Sequence, residues 1–135
     1  MKETIGCRGQ QGSWFATVTT VAAVDEAAAK EYGIEPGTSL PCVHSRFWVM
    51  QNGKPEHHEP FLNPDHPYGS EKYIKYFDAI KKGLVILTNS KWSEDNDGHL
   101  HATRTGYVAI FKVANVRDDN GILEWDYVER IASCI

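Results

Sequence analysis

Residues 70–88 read SEKYIKYFDAIKKGLVILT, a capped helix running straight into an apolar strand, and this junction constrains the fold more than any other stretch. Ser70 supplies an N-cap hydroxyl, Glu71 suits the positive end of the helix dipole, and Lys81 and Lys82 suit the negative end. Gly83 stands where a left-handed residue closes a helix. Tyr73, Ile74, Phe77 and Ile80 recur at helical spacing, which predicts one apolar stripe. LVILT then follows at once as a buried strand.

The remaining elements are read from the same kinds of signal. Residues 13–21, SWFATVTTV, are rich in β-formers and predict a strand. In VDEAAAKEYG, Asp25 can cap, Val24, Ala28 and Tyr32 fall at helical spacing, and Gly33 ends the pattern, so a helix is expected at about 25–33. SLPCVHSRFWVM predicts an unbroken strand with Val43, Ser45, Phe47 and Val49 on one face. Asn52-Gly53 is a type I′ hairpin signal, and Pro55 and Pro60 restrict the return strand KPEHHEPF to a sheet edge. NDG at 96–98 and DDNG at 118–121 delimit two further strand runs. Five to seven mostly antiparallel strands and two helices, at about 25–33 and 70–82, predict an α+β domain. It would be built on a mostly antiparallel sheet or a small, partly closed β-barrel. The expectation is a single domain over 1–135 with a flexible arm at 1–12.

Several function classes lose support on composition. Three cysteines, Cys7, Cys42 and Cys134, without a CxxC pair do not suggest a disulfide framework or a zinc ribbon. A formal net charge of −4 argues against general polyanion binding. The basic residues are nevertheless clustered: Lys72, Lys75, Lys81, Lys82 and Lys91 lie within 72–92 against the single acid Asp78. No apolar run is long enough to span a membrane, and MKETIGCRGQQGSW lacks the apolar core of a signal peptide, so a cytoplasmic location is expected.

Histidine raises the question of a metal. KPEHHEPFLNPDHPYG, residues 54–69, holds His57, His58 and His66, and His99 and His101 would share one face of a strand. Two imidazoles so placed could share a divalent transition metal if Glu94, Asp95, Asp97, His57, His58 or His66 supplied a third ligand. The alternative is a pair on the polar face of a strand beside a turn. His57 and His58, being adjacent, point to opposite sides of an extended chain. A Cys42–His44 pair lacks an orienting third group. SEDNDG departs from a calcium loop at its first and last ligand positions. Gly6, Gly9 and Gly12 around Arg8 match no phosphate-loop spacing.

Aromatic and cationic residues offer a different site. Trp14, Trp48, Trp92 and Trp125, with the tyrosines, beside Arg46, Lys91 and Arg104 could form a stacking surface for a nucleotide or a base; the bland alternative is core packing. KKGLVILTNSKW and TGYVAIFKVANV, within residues 81–116, resemble the PUA-like folds of the EVE and ASCH type. That resemblance implies an aromatic pocket that binds a modified base, although Leu84 follows Gly83 where those families place an acid. With no complete catalytic set, the sequence predicts a non-enzymatic recognition or regulatory module needing no cofactor. Its ligand would be a nucleotide, a nucleic acid or a protein, the last including a target that it inhibits. The competing expectation is a metal-dependent hydrolase or cupin-like enzyme centred on His99 and His101.

Overall fold

Asn52 and Gly53 adopt φ of 52° and 76°, the left-handed pair that a type I′ turn demands, and the strands on either side build outward from this hairpin. The computed structural model describes residues 4–8, 14–21, 30–60, 70–94, 96, 98, 100–119 and 122–134. The strands are β1 (Thr4–Arg8), β2 (Phe15–Val21), β3 (Ser39–His44), β4 (Trp48–Gln51), β5 (Lys54–Pro60), β6 (Leu84–Glu94), β7 (Leu100–Asp119) and β8 (Ile122–Cys134). Helix α1 spans Glu71–Lys81, and a 3-10 turn at Ser45–Phe47 separates β3 from β4.

The eight strands form one sheet in the order β1-β2-β3-β6-β7-β8-β5-β4. All neighbours in that order are antiparallel except β3 and β6, which pair in parallel through Cys42–Ile86, Val43–Leu87 and His44–Thr88. Thr4 and Ile5 also lie beside Ser133 and Cys134.

This architecture corrects the expectation of a small, partly closed barrel with two helices. The sheet is open: among the described residues it continues beyond β8 through β5 to an edge at β4. Bulges in β7 and β8 make this possible, because they bend long strands that serve both the body and this extension. Among the described residues α1 is the one long helix. Most of the helix expected at 25–33 lies outside them, though Lys30 and Glu31 are helical and Gly33 has φ 73°.

Two local expectations also change. The 3-10 turn interrupts the alternation read through residues 39–50. And β5, despite Pro55 and Pro60, is internal, with β4 as the edge strand instead.

The sheet carries a core on each face. Ala16, Val18, Leu40, Cys42, Ile86, Ile110 and Ile131 pack on one side. Val43, Val85, Leu87, Phe111, Leu123, Trp125 and Tyr127 pack on the other, against Tyr73, Tyr76 and Ile80 of α1. Val85, Ile86 and Leu87 are buried in succession, as the uninterrupted LVIL run requires of a strand covered on both faces. Ser70 caps α1 by accepting from the Tyr73 amide at 3.3 Å. The buried stripe is Tyr73, Tyr76 and Ile80, whereas Ile74 is 50% exposed. Tyr76 takes the inward position because its hydroxyl reaches the Cys42 carbonyl at 2.6 Å. The Tyr73 hydroxyl donates to Asp118. Among the described residues no helix is long and apolar enough to cross a membrane.

Candidate functional site

Residues alternate across β5 and β8, so one set of polar side chains enters the core and the next faces out. His57 pairs with Trp125 and with Trp48 across the strands, and its ring stacks on Trp125 at 3.9 Å with an interplanar angle of 9°. His57 is fully buried, and both ring nitrogens are engaged: Nδ1 with the Tyr127 hydroxyl at 2.8 Å and Nε2 with Glu59 Oε1 at 2.8 Å. A carboxylate only accepts, which puts a ring proton on Nε2; with the imidazole neutral, Tyr127 is then the donor to Nδ1.

Burial holds the Tyr127 hydroxyl far above the ordinary tyrosine range. Tyr76 and Glu59 push the same way, and only the Trp125 indole opposes them. Tyr127 is therefore a neutral donor rather than a nucleophile. The Trp125 Nε1 proton has no hydrogen-bond partner among the described residues. Trp48 stacks on Tyr127 at 4.2 Å and meets Phe111 edge-on at 5.4 Å, and Phe47 meets His57 at 5.8 Å. The chain Tyr127–His57–Glu59 thus has the connectivity of a proton relay, but it is packed within rings.

On the outer face Arg117 gathers three carboxylates. Its Nε donates to Glu124 at 2.9 Å, its Nη2 to Glu56 at 2.8 Å, and its Nη1 lies 3.4 Å from Asp126. His58 Nε2 meets Glu56 at 2.9 Å. Asn115, at φ 55° in a β7 bulge, donates to Asp126 at 2.6 Å. That hydrogen bond and the guanidinium together hold the Asp126 carboxyl below its usual range, against the opposing effect of burial. Burial alone would lower the Arg117 pKa, but the bonds to Glu124, Asp126 and Glu56 outweigh it and raise it.

For His57 and His58 the metal-binding expectation is corrected by these contacts. Among the described residues no group of three or more His, Cys, Asp or Glu is arranged to hold a metal ion. His57 is spent on Tyr127 and Glu59, and His58 turns to the opposite face. His66 and His99 lie outside the described residues, as do Asp95 and Asp97, and His101 is described only as backbone paired with Ser93. Cys42 is buried in the core, and His44 meets the Phe47 ring at 6.1 Å.

The aromatic and cationic candidates divide into two regions. Trp14 and Trp48 both flank the core that α1 covers, and Arg46 lies exposed on the 3-10 turn between His44 and Trp48. Lys91 is exposed on β6 opposite Thr103. Trp92 pairs with Ala102 and Arg104 with Ser90, both described as backbone in the β6–β7 ribbon.

Along α1 a further pattern emerges. Lys72 lies 4.6 Å from the centre of the Trp14 ring, Lys75 5.8 Å from Phe15, and Lys81 4.4 Å from Phe77. Trp14 and Phe15 both meet Tyr76 edge-on, at 5.0 and 6.1 Å. Comparison with protein-family models, curated proteins and solved structures found no match.

Reasoning from sequence missed the cluster of Tyr127, Glu59 and Trp125, naming Trp125 only for a stacking surface, and it missed the ring contacts of Lys72 and Phe15. The first three carry a signal in retrospect. Glu59 stands two residues after His57, and Trp125 and Tyr127 are separated by Asp126, so each set shares a strand face. The pairing of β5 with β8 that joins them has no local signature.

Proposed function

We propose that the domain is a non-enzymatic recognition module for an anionic ligand carrying an aromatic ring, a nucleotide or single-stranded nucleic acid. The ligand is taken on the lysine-covered rings beside α1. The observation that carries this reading is the pair Trp14–Lys72 and Phe15–Lys75, two successive rings each faced by an ammonium one helical turn from the next.

An exposed cation–π contact is worth only about 0.5–1 kcal/mol, whereas stacking a base is worth about 1–3 kcal/mol. A base can therefore take the ring face while the displaced ammonium moves to phosphate. The Tyr127–His57–Glu59 chain supports a module rather than an enzyme, since its tyrosine is kept protonated and its histidine fully buried.

The test is titration of the protein with an oligothymidylate at low salt, read by tryptophan fluorescence and by anisotropy of a labelled strand. Binding should weaken with salt, with a logarithmic slope of about −0.7 per phosphate neutralised. Lys72→Ala should make that slope shallower by one such unit, and Trp14→Ala should remove the quenching. Absence of binding at low salt refutes the reading.

A further inference from the structure

Helix α1 presents Glu71, Lys75, Asp78 and Lys82 outward, all exposed, opposite the buried Tyr73, Tyr76 and Ile80. These four charges form one wall of an open groove whose other side includes Phe15, Tyr32, Leu40, Pro41 and Leu84. Their spacing of four, three and four residues is that of a coiled-coil seam. Their signs alternate, acid, base, acid, base.

Acids placed four residues before lysines often pair within a helix. Here they do not. Among the described residues Glu71, Asp78 and Lys82 make no ion pair or side-chain hydrogen bond, and the contact of Lys75 is with the Phe15 ring.

The order of signs has a symmetry. Reversing the helix direction places Glu71 level with Lys82, and Lys75 level with Asp78, about one common point between Tyr76 and Phe77. A twofold axis through that point lays α1 antiparallel on a second α1, with every charge opposite its complement, as an isologous contact requires. Ile74, 50% exposed, borders the central pairs and supplies apolar area beside them.

We infer that this face of α1 binds a second copy of the chain. Two helices pair antiparallel, with Glu71 of each opposite Lys82 of the other and Lys75 of each opposite Asp78 of the other. Exposed ion pairs contribute little each, so the dimer is weak, fast and salt-sensitive, and the charge order fixes orientation more than strength. A foreign acidic or basic partner would match half of the stripe and be repelled by the other half. This inference stands apart from the proposed ligand, with Lys75 the residue common to both.

Sedimentation of the whole chain from about 10 μM to about 1 mM tests it, since weak association appears in that range. The expected result is reversible monomer–dimer exchange at low salt that is lost at high salt. Lys75→Glu alone and Asp78→Lys alone each put like charges opposite one another twice, and each should weaken association about tenfold or more. An equimolar mixture of the two variants should recover it, because the reversed charge at 75 in one chain then faces the reversed charge at 78 in the other. Both changes are on the surface, and unchanged thermal unfolding would confirm intact folds. Asp78→Lys leaves the lysine-covered rings in place, so loss of dimer with oligothymidylate binding retained separates this inference from the ligand reading. A wild-type chain monomeric throughout, single variants that associate like wild type, or a mixture that stays monomeric would each overturn it.

Discussion

On the inner face of β8, Trp125 and Tyr127 meet His57 and Glu59 within the buried core. On its outer face, Glu124 and Asp126 meet Arg117, Glu56 and His58 in partial contact with solvent. Both sets join β5 to β8, and through β5 they fix the hairpin that ends the sheet. The inner set depends on ring stacking and on hydrogen bonds that engage both ring nitrogens of His57. The outer set depends on opposite charges that water can replace. The inner contacts should therefore dominate stability, and the outer ones should report salt and pH.

The largest effect is expected from His57→Ala. It removes a stacked ring from a closed core and leaves the Tyr127 hydroxyl and the Glu59 carboxylate without their shared partner. Cavity and desolvation costs together should destabilise the fold by about 3–5 kcal/mol, measured by denaturant unfolding. A loss below about 1 kcal/mol would mean that the inner face is not the stronger tie.

Tyr127→Phe keeps the ring stacked under Trp48 and removes only the donor to Nδ1 of His57. One buried hydrogen bond is lost and one acceptor is stranded, so about 1–2 kcal/mol should disappear, with little dependence on salt. Comparison with His57→Ala separates packing from hydrogen bonding.

Arg117→Met leaves Glu56, Glu124 and Asp126 crowded without their cation. Because Arg117 is partly exposed, the cost should be about 1 kcal/mol or less, and it should shrink as salt rises. If this variant costs as much as His57→Ala, the distinction between the two faces fails.

Local order was legible in the sequence where one short segment decides the outcome. The Ser70 cap, the Asn52-Gly53 turn and the doubly buried Val85–Leu87 run each follow from neighbouring residues. Errors arose where a distant partner decides. Pro55 and Pro60 suggested an edge, yet β5 lies between β4 and β8, because β8 runs past the body of the sheet and offers it a second neighbour. The stripe read from the sequence included Ile74 and omitted Tyr76, whose hydroxyl is received by the carbonyl of Cys42, thirty-four residues away. The site suffered in the same way. Three histidines within 54–69 suggested a metal, but His57 is claimed by Tyr127, seventy residues away, and no local pattern announces that claim. Trp14 and Trp48 could be named from sequence, whereas the lysines that cover Trp14 and Phe15 depend on how α1 lies across β2.

The smallest effect is expected from Asp126→Asn, and it concerns pH rather than overall stability. The Asn115 amide and the Arg117 guanidinium hold the Asp126 carboxyl below its ordinary range, so the folded state binds this proton less readily than the unfolded chain does. A depressed carboxylate contributes stability that is complete above the unfolded value, near about 3.9, and is lost as pH falls through the lower folded value. Unfolding midpoints of the wild type and Asp126→Asn should therefore differ at neutral pH and converge below about pH 4. Convergence would assign part of the acid sensitivity of the outer face to this one carboxylate. If the two curves stay parallel down to acid, the Asn115 contact acts through geometry, by holding the β7 bulge, and the charge on Asp126 has no part in joining β7 to β8.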